Sequence, residues 1–185
     1  LFAFTSQFSE AQLKLPLANG VAPDVKKVVG DYPNRFINLM GEVKSANAQW
    51  TDYECNFRVS GAEEAFITRY TAKKEVCSWE AVMLTTESFE KARQKYHALF
   101  NQLNNLSVSF GDGHSYKLKG NYETPQEQLK FSSVLFTINP GTEAGKKLKV
   151  EIALQFFAPM EWKVKVLVYD REREDDERGE TRETD

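Results

Sequence analysis

Two histidines and two cysteines, His97, His114, Cys55 and Cys77, make up the chain's supply of imidazole and thiol. The grouping closest to a reactive constellation is Asp112-Gly113-His114, where a carboxylate two residues from an imidazole could imitate a metal corner or an acid/base pair. A transition-metal site needs three or four ligands in defined geometry, and two histidines fall short of a site built on imidazole. His97 stands beside Tyr96 in a helical stretch and reads as solvated or structural. A nucleophile would need a base within reach. The sequence has no G-x-S-x-G elbow, and neither cysteine is a close neighbour of a histidine along the chain. Phosphate-cradling loops of the G-x-x-x-x-G-K or G-x-G-x-x-G type are absent too, since Gly111-Asp112-Gly113 lacks a third glycine and a following helix. The acid pairs Glu63-Glu64 and Asp175-Asp176 fall in a turn and in a charged terminal stretch, where little shifts a carboxylate toward catalytic use. Asn105-Leu106-Ser107 matches a glycosylation acceptor, a short pattern that is used only in a secretory pathway with the matching transferase. No catalytic residue, metal ligand or cofactor-binding residue is therefore expected.

These groups must be held by elements, and the composition permits a folded core. The 185 residues are 41% hydrophobic and 12% aromatic, with thirteen Phe, seven Tyr and three Trp. That length and content suit one globular domain. The formal net charge of −3 argues against a broad nucleic-acid surface, which needs clustered Lys and Arg. Lys146, Lys147 and Lys149 do cluster, and are read as protecting the edge of the strand they flank. No apolar run approaches the roughly 18 residues that a membrane span requires.

Periodicity places the elements. Asp24 opens a helix after Pro23, with Val25, Val28 and Val29 on one face and Gly30 as its stop. Phe36, Leu39 and Met40 continue an apolar stripe to Gly41. Alternation predicts strands over Tyr53–Val59, Ala65–Thr71 and Val76–Leu84, with turns at Ser60-Gly61 and Lys73-Lys74. A long helix, about Glu87–Asn105, takes its cap from Thr86 or Ser88 and presents Phe89, Ala92, Tyr96, Leu99, Phe100 and Leu103 on one face. Strands then follow over Val108–Phe110, Tyr116–Tyr122, Leu129–Ile138, Lys147–Phe157 and Glu161–Tyr169, the first two hinged at Gly111-Asp112-Gly113. The expected fold is α+β, a mostly antiparallel sheet packed against two helices.

Two finer expectations concern the core. Tyr32, Phe36 and Leu39 match Tyr96, Phe100 and Leu103 in spacing, each set preceding a strand series with a Trp-headed last strand, which points to two α-then-β half-repeats. Trp79 and Trp162 are expected to be buried and Trp50 exposed. In a three-strand meander, Cys55 and Cys77 stand two strand spacings apart, roughly 9–10 Å, beyond the Cα separation of about 7 Å that a disulfide tolerates. Two unbonded, core-facing thiols are expected.

The ends read differently. Leu1–Ala11 resembles the close of a secretory signal, an apolar run followed by small residues at Ser9 and Ala11, with cleavage before Gln12. Residues 12–170 form the domain, and 171–185, charged and nearly free of apolar side chains, read as a solvated tail. Together these features favour an exported, periplasmic or extracellular bacterial binding or assembly module, non-catalytic, whose partner is an unknown protein or small ligand. Two other readings stand beside it: a small hydrolase using His114, Asp112 or a free Cys, and a chaperone-like domain offering its sheet to a client.

Overall fold

The computed structural model describes residues 20–71, 75–141 and 143–170, with only the backbone of residues 143 and 144. The signal-like stretch 1–11, the turn at Lys73-Lys74 and the charged stretch 171–185 lie outside the described residues.

Helix α1 (Ala22–Asp31) carries Pro23 in its first turn, where a missing N–H costs nothing, and buries Val25, Val28 and Val29. Helix α2 (Phe89–Leu103) is capped by Ser88, whose Oγ accepts the Lys91 N–H at 3.3 Å. Its buried stripe is Ala92, Tyr96, Leu99 and Leu103, with Phe89 and Phe100 half-buried beside it. No described helix is long and apolar enough to cross a membrane.

The strands are β1 (Met40–Ala46), β2 (Trp50–Cys55), β3 (Glu64–Tyr70), β4 (Val76–Thr86), β5 (Ser107–Val108), β6 (Tyr116–Lys119), β7 (Phe131–Asn139), β8 (Leu148–Phe157) and β9 (Glu161–Asp170). They form one antiparallel sheet in the order β1-β2-β3-β4-β9-β8-β7-β6-β5. The fold is therefore α+β and dominated by its sheet. Each half is a helix followed by a meander, and the last strands of the two halves, β4 and β9, pair at the centre. Both helices cover one face: α2 rests on β4, β8 and β9, while α1 touches β9 and the far edge strand β5. A helix can meet the middle and the rim of a sheet only if the sheet curls toward it. Trp79 (0% exposed) and Trp162 (2%) lie at the centre of this core.

Among the described residues the opposite face carries no long helix. Register aligns Leu135, Glu151, Leu167, Glu80, Phe66 and Glu54 in a row across six strands, apolar and acidic by turns. Two of its three carboxylates are engaged: Glu80 holds Lys165 at 2.7 Å and Glu151 accepts the Tyr169 hydroxyl at 2.8 Å.

Several expectations need correction. Strand β1 was not legible, because every residue after Met40 in it is exposed and no alternation marks it. The strand predicted over Tyr53–Val59 ends at Cys55, where the Asn56 N–H and side chain bond the carbonyls of Leu39 and Asn38 and pull the chain out of register. Trp50 does not precede the strand but opens β2, half-buried. Lys149 guards no edge, since β8 lies between β7 and β9; Lys146 and Lys147 end a short helix, α3 (Glu143–Lys147). The half-repeats exist as an order of elements. The residue match fails, because Tyr32 and Leu39 lie in two 3₁₀ turns and Phe36 is one of the two left-handed residues between them, rather than all three sharing a helix like α2. The two thiols are free, with Cys77 buried and Cys55 half-buried, as the meander requires.

Candidate functional site

The link between α1 and β1 is built around one buried carboxylate. Asp31 is 8% exposed and accepts the Asn38 backbone N–H (3.1 Å), the Asn38 amide (2.7 Å) and the Asn34 amide (2.9 Å). These bonds wind Tyr32–Asn34 and Ile37–Leu39 into 3₁₀ turns and leave Arg35 and Phe36 between them, both left-handed at φ 54° and 58°. Two successive non-glycine residues in that region are costly, and for a bulky residue such as Phe the conformation is a genuine outlier. Full burial of the Phe36 ring, 6.1 Å from Tyr32, offsets the strain.

The result is a wall over the end of the central strands. Because Ser78 pairs with Tyr169, the start of β4 and the end of β9 emerge together. Arg35 Nη1 comes to 3.5 Å from Glu75, just before β4, and the Tyr32 hydroxyl donates to Asp170 at 2.7 Å, at the end of β9. Between them lies a cleft of about 330 Å³, with Phe36, Val76 and Cys77 among its lining and Lys147 contributed by α3. Its lining thus carries two cations, two anions and one thiol. Burial pushes the Cys77 thiol up to about 11, Glu75 adding to the effect while Arg69 and Arg35 oppose it. Thiolate reactivity requires deprotonation, and burial holds this thiol protonated at neutral pH.

A second cleft, about 360 Å³, opens near the β2 end and the β3 start, where Cys55 lies among Lys44, Arg58, Glu63 and Glu64. Lys44 bonds Glu64 at 2.9 Å, which raises its pKa above the ordinary lysine value. The cysteines thus open on different clefts. Cys77 shares a cross-strand row with Arg69 and Thr51, four residues along β2 from Cys55.

The hairpin group closes on itself. The His114 N–H reaches Asp112 Oδ1 at 3.0 Å, His114 Nδ1 lies 3.0 Å from the Asp112 carbonyl oxygen, and the Tyr116 hydroxyl donates to Asp112 Oδ2 at 2.5 Å. The Tyr116 hydroxyl, then the His114 backbone N–H, hold the Asp112 carboxyl below its usual value. This is a turn bonded to its own chain, with both glycines left-handed. His97 is exposed on α2 with its ring edge-on to Tyr122 at 5.1 Å. Among the described residues no three His, Cys, Asp or Glu side chains are grouped to hold a metal ion.

Arg35, Glu75 and Asp170 carried no local signal, and Tyr32 and Lys147 stood out only as a repeat position and an edge charge. They come from four places in the chain, and neither glycine nor motif announces the left-handed pair. No protein-family model, curated protein or solved structure matches this chain.

Proposed function

We propose that this protein is an exported bacterial binding module, non-catalytic, which receives a ligand carrying both signs of charge in the cleft beneath Arg35. The observation that carries this reading is the strained Arg35-Phe36 pair, held by the buried Asp31 and forming the wall of a cleft whose rim carries charges of both signs. Strain kept in place by buried hydrogen bonds tends to collect at ligand clamps. Rim charges of both signs favour a zwitterion, such as an amino acid or the end of a peptide, because a ligand of one sign would match only half of them. A thiol held protonated suits binding better than nucleophilic attack. Export rests on the small-residue site Ser9-x-Ala11 behind an apolar run.

Calorimetric titration with a panel of amino acids, dipeptides, simple carboxylates and amines tests the site. A zwitterionic member should saturate the wild-type chain and fail on Arg35→Gly, whose backbone accepts φ 54° without strain and whose melting point should stay within a few degrees. Absence of binding across the panel, or hydrolysis of simple esters abolished by Cys77→Ser, overturns the reading. For export, intact-mass analysis of protein from its native host should find Gln12 at the N-terminus, and recovery from the cytoplasm with Leu1 in place refutes it.

A further inference from the structure

Strand β7 is bordered on both sides over only part of its length. Phe131–Phe136 pair with β8 in unbroken register, but β6 reaches only Thr137, Ile138 and Asn139. At Gly120 the chain turns under the sheet, so close to the core-facing side chains of Val134 and Phe136 that a Cβ there would meet them at 2.6 and 2.9 Å. Among the described residues no strand and no backbone hydrogen bond reaches the outer side of Phe131–Phe136.

Proteins blunt free sheet edges with charges, prolines and bulges. Strand β1 has such devices: two breaks of register, Glu42 and Lys44. The β7 stretch, Phe-Ser-Ser-Val-Leu-Phe, has no charge, no proline and no bulge. On its helix-free face it exposes Phe131 (49%) and Leu135 (38%). An unprotected edge of this kind is a template for another strand.

We propose that this edge is the seam of a homodimer, β7 pairing antiparallel with β7 of a second copy about a two-fold axis at Ser133. The sequence is self-complementary about that point. Ser133 meets its own counterpart, Phe131 meets Leu135 of the second copy twice over, and Ser132 meets Val134. A two-fold axis perpendicular to the sheet demands such reciprocity, and aromatic–aliphatic cross-strand pairs favour it. The span also fits, because β7 begins at Phe131 while β6 takes over the same side at Thr137. Each copy therefore pairs five of its six free residues and leaves the sheet before the other copy's β6 begins. A heterologous partner has no such reason to match the edge in both charge and length.

Sedimentation equilibrium from roughly 1 µM to 1 mM spans the affinities expected of a small interface. The wild-type chain should pass from monomer to dimer in that window. Ser133→Lys places like charges directly opposite at the axis and should give a monomer with an unchanged melting curve. Should that variant not fold, Ser133→Cys supplies the decision. Opposed residues in an antiparallel pair have Cα atoms about 4.5–5.5 Å apart, within the disulfide range of about 4.4–6.8 Å, so mild oxidation should link two copies through residue 133. Val43→Cys on β1 should remain unlinked. A wild-type monomer at 1 mM, a dimer that survives Ser133→Lys, or cross-linking at Val43→Cys in place of Ser133→Cys overturns the proposal.

Discussion

Three tryptophans divide the molecule at the level of single residues. Trp79 has no exposed surface, and Trp162 is packed against Phe89 (4.9 Å) and Phe156 (5.2 Å). Removing either indole leaves a cavity, and Trp79→Ala or Trp162→Ala should each cost about 3–5 kcal/mol in urea melts. A domain of this size holds only about 5–15 kcal/mol in all. Trp50, half-buried at the start of β2, should lose roughly 0.5–1.5 kcal/mol on truncation. If Trp50→Ala unfolds the chain while Trp79→Ala is mild, the assigned core is wrong. Cys77 makes a separate demand, on pH. Burial raises the folded thiol from 9.0 to about 11, so between those values the unfolded chain gives up its proton and the folded chain keeps it. Stability from this group is complete below pH 9 and declines as pH rises toward 11, by about 2–3 kcal/mol. Melts of wild type and Cys77→Ser at pH 8 and pH 10.5 isolate the effect. The wild-type chain should lose more than the variant, and equal losses would show that the thiol is not protected.

Elements rest on a few local contacts whose removal has calculable consequences. Ser88 supplies the one side-chain cap on α2, and Ser88→Ala should lower stability by about 1 kcal/mol. Gly120 is the point where β6 ends and the chain passes under β7. Any Cβ there collides with Val134 and Phe136, both buried, so the neighbours cannot move aside cheaply. Gly120→Ala should destabilise by about 1–3 kcal/mol, the range for an overfilled core. A neutral result in chemical denaturation would mean that this crossing can relax. The α1–β1 link differs in kind from these helices and strands. Its shape follows from one buried carboxylate and three donors rather than from the periodicity of its sequence.

At the scale of the whole molecule the pairing of β4 with β9 joins two meanders into one sheet. Helix α2 belongs to the second half yet rests on β4 of the first, and α1 belongs to the first half yet rests on β5 and β9 of the second. Each half alone would expose one long edge of β4 or β9 as well as part of the apolar stripe of a helix. Fragments 1–86 and 87–185 should therefore be unfolded separately, without a cooperative melt by circular dichroism, and should recover native ellipticity when mixed. A cooperative transition in either fragment alone would refute this mutual dependence and make the halves independent units.

The amino-acid sequence alone determined the elements that bury a regular stripe. Helix α2 and strand β9 follow from apolar residues at steps of three to four and of two, since periodic burial leaves a periodic record; β3, β4 and β8, with Trp79 and Trp162 in the core, follow from apolar-rich stretches of strand length, and the hairpin from its turn glycines. The separation of the two thiols followed from the meander by strand spacing alone. Strand β1 left no record, because an edge strand exposed on both faces needs no apolar alternation. The left-handed Arg35-Phe36 pair left none either, because its conformation is imposed by the Asp31 carboxylate and by burial of a ring rather than by local preference. The cleft was out of reach for a related reason. Arg35, Glu75, Lys147 and Asp170 are distant in sequence and become neighbours only when β4 and β9 pair antiparallel at the centre of the sheet. Periodicity in a chain reports which face of an element is buried; which elements then meet is decided by the packing of those faces on one another.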